Sequence, residues 1–169
     1  DGLDVLLVRR TPGRGEPFPD HWALPGGFVD VGRDGDLAAA AARKLREKTG
    51  VDAPYLEQLG AFGNPSRDPR GWSLTTVYFA LMPAADVRLV PGGNAGEARW
   101  FPIVGEQVRV PLAFDHAELL AAAVHRLRSK VEYTSLPVYL LPGEFTLGQL
   151  QNAYEIVLGR RVEKSAFRR

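Results

Sequence analysis

The sequence predicts an α/β or α+β body followed by a short helical tail of a different kind, and three observations lead there. Strand-like and helix-like runs alternate as far as Arg128, Pro-Gly and Gly-Gly turns punctuate them, and the charge changes sign after His125. Residues 1–125 hold 13 Lys and Arg against 16 Asp and Glu, a net of −3, whereas residues 126–169 hold 8 against 4, a net of +4. A basic segment joined to a mildly acidic body is the pattern of a protein that handles a small ligand in one part and meets a polyanion such as DNA with the other. A solvated helix face gives the same charge.

Composition narrows the classes further. With 169 residues, 45% hydrophobic and 24% charged, the chain can bury an ordinary core, which argues against disorder and fibrous repeats. It has no cysteine, so disulfides, thiolate zinc sites and thiol catalysis are excluded together, and a reducing, cytoplasmic setting is expected. No apolar run approaches the ~18 residues of a membrane span, and the start lacks a signal peptide's basic-then-apolar design, so no membrane partner is expected.

Asp4-Val5-Leu6-Leu7-Val8-Arg9-Arg10 is an aliphatic strand entering the turn Thr11-Pro12-Gly13. It begins so abruptly that the N-terminus is expected to be incomplete. His21 to Val29 packs aromatic and aliphatic residues around Pro25-Gly26-Gly27, where a missing Cβ lets backbone approach a ligand or another strand. Asp36 is a good N-cap, the alanines from Ala38 to Ala42 are strong helix formers, and the helix continues through Arg43-Lys44-Leu45-Arg46-Glu47-Lys48-Thr49 to a stop at Gly50. Pro54–Phe62 and Ser73–Leu81 read as strands joined by a loop, Asn64–Trp72, and Ala98–Pro102 as a shorter extended piece. From Asp115 to Arg128 the residues Leu119, Leu120, Ala123, Val124 and Leu127 recur at helical spacing.

Beyond Pro142-Gly143, Thr146 caps a helix whose apolar positions Leu147, Leu150, Tyr154, Val157 and Leu158 share one face before Gly159, and residues 162–169 read as the start of a second helix. That is helix-turn-helix spacing, broken off in mid-motif. About thirty residues cannot form a core of their own, so this tail requires either more chain or the body's surface.

The box helix carries the chemistry. Gly26-Gly27-Phe28-Val29-Asp30 … Arg43-Lys44-Leu45-Arg46-Glu47-Lys48-Thr49-Gly50-Val51 resembles the Nudix box, G-x5-E-x7-R-E-U-x-E-E-x-G-U, of a family that hydrolyses nucleoside diphosphates linked to another moiety. In that family, helix carboxylates bind Mg²⁺ or Mn²⁺ and the ion activates the attacking water, work suited to hard oxygen ligands on one helical face. Gly27, Arg43, Leu45, Glu47, Gly50 and Val51 match the pattern. Lys44 and Lys48 replace two of its glutamates, and the span from Gly27 to Arg43 is two residues too long and leaves no glutamate at the early position. The two lysines, four apart, lie on one face, and a divalent ion about 4 Å from each ammonium is repelled by about 2 kcal/mol even in water. Glu47, with Asp30, Asp34 and Asp36, is the weak remaining metal candidate; no catalytic residue and no required cofactor are assigned.

A box that cannot hydrolyse can still bind. Arg67 and Arg70 are candidate phosphate clamps, because guanidinium groups grip phosphate in bidentate fashion; Lys44 and Lys48 can neutralise phosphate where the metal would sit. Trp22, Trp72 and Phe114 are candidates to stack a base, and His116 is a candidate ligand contact. The competing readings are an Asp68-paired loop for the arginines and core packing for the aromatics.

The box together with Pro54-Tyr55-Leu56-Glu57-Gln58-Leu59, Arg67-Asp68-Pro69-Arg70-Gly71-Trp72, Leu112-Ala113-Phe114-Asp115-His116 and Glu144-Phe145-Thr146-Leu147 … Phe167-Arg168-Arg169 resembles the Nudix-related transcriptional regulators of NAD metabolism. The resemblance implies a Nudix-like α/β/α sandwich with a mixed sheet over residues 1–135 and the start of a winged helix-turn-helix domain over 136–169, truncated here. It also implies a homodimeric repressor of NAD synthesis or salvage genes that binds operator DNA and takes ADP-ribose, or a related nucleotide, as effector. Lys164, Ser165, Arg168 and Arg169 would then open the recognition helix, with Arg160 and Arg161 near the phosphates. The alternative is an active ADP-ribose pyrophosphatase, which needs Mg²⁺ and uses the tail only to dimerise.

Overall fold

The computed structural model describes residues 2–13, 15–83, 90 and 95–163. The aliphatic run at the start is β1 (Asp4–Arg10), and Leu6, Leu7 and Val8 are buried in it. It pairs antiparallel on one side with β2 (Trp22–Ala23), through Val8–Ala23 and Arg9–Trp22, and on the other with β5 (Ala95–Pro102), from Asp4–Pro102 to Arg10–Ala95. β5 begins three residues before the sequence reading placed it, because the ladder to β1 continues to Arg10. The neighbours that the opening strand requires are therefore supplied from within the chain.

β3 (Tyr55–Asn64) and β4 (Ser73–Leu81) form a second, antiparallel pair with an irregularity between Gln58 and Gly60. Every ladder between these five strands is antiparallel, and among the described residues the parallel component is the bridge between Trp22 and Leu112. α1 (Leu37–Thr49) packs against β3, β4 and β5, and α2 (His116–Val131) packs against β3. Helices and strands thus cover one another as the mixed α/β reading requires.

The tail leans on the body. A short 3-10 helix, Leu136–Leu140, and α3 (Leu147–Leu158) close over α2, and Leu136 and Val157 enter one apolar cluster with Leu59, Phe79, Leu81, Leu127 and Val131. Val157 is fully buried there. Sequence periodicity did not anticipate the 3-10 helix, whose five residues with Pro137 near its start are too short to show one. Polar bonds reinforce the seam: the Arg128 Nε–H donates to Val157 O at 3.1 Å, and the Tyr154 hydroxyl donates to Thr134 O at 2.9 Å.

Candidate functional site

The box is built around a closed turn. Asp34 N–H donates to Asp30 O at 2.8 Å, Gly32 N–H to Asp30 Oδ1 at 3.0 Å, and Asp30 N–H to Asp34 Oδ2 at 2.7 Å. This turn falls within the overlong span between Gly27 and Arg43. Asp36 then caps α1 by accepting the Ala39 N–H at 2.7 Å, and Gly50 ends the helix in the left-handed conformation at φ 75°.

Arg43 ties the carboxylates of the box together. Its Nε and Nη2 donate to the two Asp34 carboxylate oxygens, both at 2.6 Å, and its Nη1 donates to Glu47 Oε1 at 2.9 Å. These hydrogen bonds hold the Asp34 carboxyl far below the usual carboxylate range and push the Arg43 guanidinium up. The second Glu47 oxygen accepts from Lys44 Nζ at 3.0 Å, and Arg33 stands 3.4 Å from the first. Hydrogen bonds from Arg43 and then Lys44 lower the Glu47 pKa.

The metal that the Nudix box implies does not fit these residues. Both Glu47 oxygens are taken by cations, Asp34 is closed by Arg43, Asp30 ties the turn and Asp36 caps α1. Among the described residues no group of three or more His, Asp or Glu is placed to hold an ion.

What the helix offers is a cationic face. The Lys44 stem lies across Gly27, where an added Cβ would come within 2.9 Å of Lys44 Cδ and Cε, so the glycine admits the lysine. Burial, and then the neighbouring Lys44 charge, lower the Lys48 pKa, and Arg10 adds to this from the end of β1. Arg10 was not foreseen. Its guanidinium lies 4.9 Å over the Phe114 ring and bonds Pro17 O at 3.0 Å and Glu16 Oε2 at 2.9 Å. The Arg9-Arg10 pair ending an apolar strand was its only sequence signal.

The loop arginines divide. Arg70 is bidentate to Asp68 and stands 3.7 Å from Glu16 with its side chain 45% exposed, so it remains open to an anion; its hydrogen bonds lower the Asp68 pKa to about 2. Arg67 is committed instead. Its Nε and Nη2 donate to the Asp115 carboxylate at 2.9 and 3.0 Å and its Nη1 to Ser73 Oγ at 3.1 Å, with about a tenth of either charged side chain exposed.

Trp72 is 66% exposed on the same loop. Trp22 is edge-on to Phe101, ring centres 4.6 Å apart, with Arg99 over its face. Phe114 sits between Phe18 and His116, at 4.8 and 5.4 Å. Backbone strain gathers here, since Phe18, Asp20 and Phe114 all have positive φ. The His116 Nδ1 accepts the Leu24 N–H at 2.9 Å, and burial pulls its pKa down to about 4, so the ring is neutral.

In the tail, Thr146 and Gln149 form a capping box at the start of α3. Arg160 and Arg161 follow Gly159 and are exposed, with Arg160 3.6 Å from Glu132. Lys164, Ser165, Arg168 and Arg169 lie outside the described residues. A cavity of about 190 Å³ lies apart from the cationic face, where Leu3 and Trp100 meet Leu140, Asn152 and Ile156, and no box residue lines it.

Residues 1–123 match the NUDIX domain family, and residues 137–169 match the NrtR DNA-binding winged helix domain. The chain is 48% identical, over 99% of its length, to the ADPR responsive transcriptional repressor NtrR of Acinetobacter baylyi, and it spans 65% of that repressor's length. The crystal structure of Shewanella oneidensis NrtR complexed with a 27mer DNA superposes with a TM-score of 0.87 at 41% identity, covering 99% of this chain and 74% of that one. The NUDIX domain of the same protein complexed with ADP ribose superposes with a TM-score of 0.66 at 44% identity, covering 75% of this chain and 79% of that one.

Proposed function

We propose that this chain, which belongs to the Nudix family and carries an NrtR-type winged-helix segment after its Nudix domain, is a DNA-binding repressor whose Nudix body senses ADP-ribose and no longer hydrolyses it. One observation carries the reading: at the box, Lys44 and Lys48 stand where metal-binding carboxylates belong, and Glu47 is paired with Arg33, Arg43 and Lys44. A face that repels a divalent cation attracts a pyrophosphate directly.

On this reading Lys44, Lys48, Arg10 and Arg70 meet the phosphates, Arg67 joins them when its partner is displaced, and the exposed Trp72 stacks the adenine. Trp22, Phe114 and His116 shape the wall behind. The Nudix body extends over residues 1–135 and the winged-helix segment over 136–169. Lys164, Ser165, Arg168 and Arg169 open the recognition helix toward operator DNA, and Arg160 and Arg161 lie near its phosphates. The working form is a homodimer in the cytoplasm, repressing genes of NAD synthesis or salvage. No metal is required. ADP-ribose releases DNA by binding more tightly to the arrangement of the dimer that DNA does not favour. The Acinetobacter and Shewanella proteins support both partners, being described with ADP-ribose response, DNA and bound ADP ribose.

The test is an electrophoretic mobility shift with full-length protein and DNA from upstream of an NAD-biosynthesis gene, titrating ADP-ribose with Mg²⁺ present and measuring AMP. The expected result is a shift that ADP-ribose reverses without AMP appearing. No shift, with steady AMP release, would make the protein a working pyrophosphatase.

A further inference from the structure

We infer that the Arg67–Asp115 pair is a latch: a ligand phosphate that takes the Arg67 guanidinium frees the Asp115 carboxylate to cap α2, and α2 carries that change to the DNA-binding tail. The inference rests on the reading of the cationic face as the ADP-ribose site, and it names the residue by which that site is coupled to α3.

Asp115 occupies the cap position of α2 but does not cap it. Asp36 and Thr146, at the same position of α1 and α3, each accept the backbone N–H of the third helical residue, Ala39 and Gln149, whereas the Asp115 side chain makes no such bond. Its carboxylate is turned instead to Arg67 in the loop between β3 and β4. Its backbone, at φ −91° and ψ 16°, lacks the extended form that the other two caps adopt. The preceding residue, Phe114, is held at φ 55°, a conformation costly for an aromatic residue and sustained only where the surroundings impose it. The pair therefore forgoes a cap, and a strained peptide lies beside it.

Both alternatives satisfy every charge. In the latched form Arg67 and Asp115 satisfy one another. In the ligated form a phosphate satisfies Arg67, and the carboxylate accepts the first-turn amide of Ala117 in α2, a favourable place for negative charge at a helix N-terminus. The start of α2 is also tied to the box side of the site: the Ala113 N–H donates to Trp22 O at 2.8 Å and Leu24 N–H to His116 Nδ1. At the other end, Leu127 and Val131 share the cluster with Val157, and Arg128 holds the last turn of α3. The sixteen residues of α2 span about 24 Å, so a change of set at Asp115 is delivered to the tail by one rigid element.

The experiment is calorimetric titration of the full-length protein with ADP-ribose. Asp115→Asn keeps a side chain that caps a helix as well as Asp does but removes the ionic competitor for Arg67; it is expected to bind ADP-ribose about tenfold more tightly than wild type. Glu57→Gln, which takes the charge out of the tie from β3 to Lys130 near the far end of α2, is expected to leave the affinity unchanged. The second measurement needs no variant: the Glu118 N–H already donates to Asp115 O at 2.9 Å, so in wild-type protein it is hydrogen exchange at the Ala117 amide that is expected to slow on adding ADP-ribose. Unchanged exchange overturns the latch, as does an Asp115→Asn affinity equal to or weaker than wild type, or an equal gain in Glu57→Gln. If wild-type protein binds ADP-ribose and any of these occurs, only the latch falls; if it binds none, the sensor reading falls with it.

Discussion

His116 shows what one buried titratable ring contributes. The folded protein keeps it neutral down to about pH 4, where an exposed imidazole takes a proton near 6.5. A base whose folded pKa is depressed gives stability that is complete above the unfolded value and is lost as the pH falls from there through the folded one. Between pH 7.5 and 5.5 this group alone removes about 1 kcal/mol. Thermal melts of His116→Gln, which retains an acceptor for the Leu24 N–H, are expected to lose that slope; a slope equal to wild type would mean that the ring is not held neutral. Charge at the box is a second matter of single residues. Lys44→Glu combined with Lys48→Glu turns two cations into two anions on one face, and is expected to weaken ADP-ribose binding in the absence of metal at least tenfold, or about 1.4 kcal/mol, by calorimetry. Unaltered affinity would show that the phosphates lie elsewhere.

Elements owe their limits to residues that the sequence declares openly. Asp36 and Gly50 bracket α1, and Thr146 and Gly159 bracket α3, because side-chain caps and left-handed glycines are local chemistry. At Gly50 an added Cβ meets φ 75° and the Val90 side chain at 3.1 Å, so Gly50→Ala is expected to cost about 1–2 kcal/mol in urea unfolding. β1 and β4 were equally legible, from aliphatic runs with turn residues on either side. The rest of the site was not. Pairings at long range, such as Arg67 with Asp115 across 48 positions, leave no trace in local spacing, and Arg67 therefore read either as a phosphate clamp or as a partner of Asp68. Arg10 was hidden for the same reason, since its value lies in the Phe114 ring beneath it. The tail was read as needing either more chain or the body's surface, and the element of the body that it packs on is α2. Val157→Ala is expected to cost about 2 kcal/mol. Because Val157 shares its cluster with β3, β4 and α2, a single unfolding transition should move as a whole; two separated transitions would mean that the tail melts independently.

At the scale of the molecule, the division of charge turns structure into a measurable dependence on salt. The body, net −3 to residue 125, has no electrostatic reason to approach DNA, and the segment after it, net +4 with half of that in residues 136–169, has one. The five cations Arg160, Arg161, Lys164, Arg168 and Arg169 stand close together in sequence after α3. Arg160 gives up little by turning to a phosphate, because its pairing with Glu132 is long and exposed on both sides. Each phosphate neutralised releases condensed counterions, so five such contacts per protomer, ten in the dimer, make log K for dimer binding fall with log salt at a slope of about −9. Arg160→Ala with Arg161→Ala removes four contacts from the dimer and should lessen that slope by about 3 to 4 and weaken binding alike on operator and unrelated duplex, since phosphate contacts carry no sequence information. Salt titrations of both duplexes by fluorescence anisotropy decide it. An unchanged slope would place these arginines off the DNA and make the tail's charge a solvated face; a loss confined to the operator would make them readers of bases.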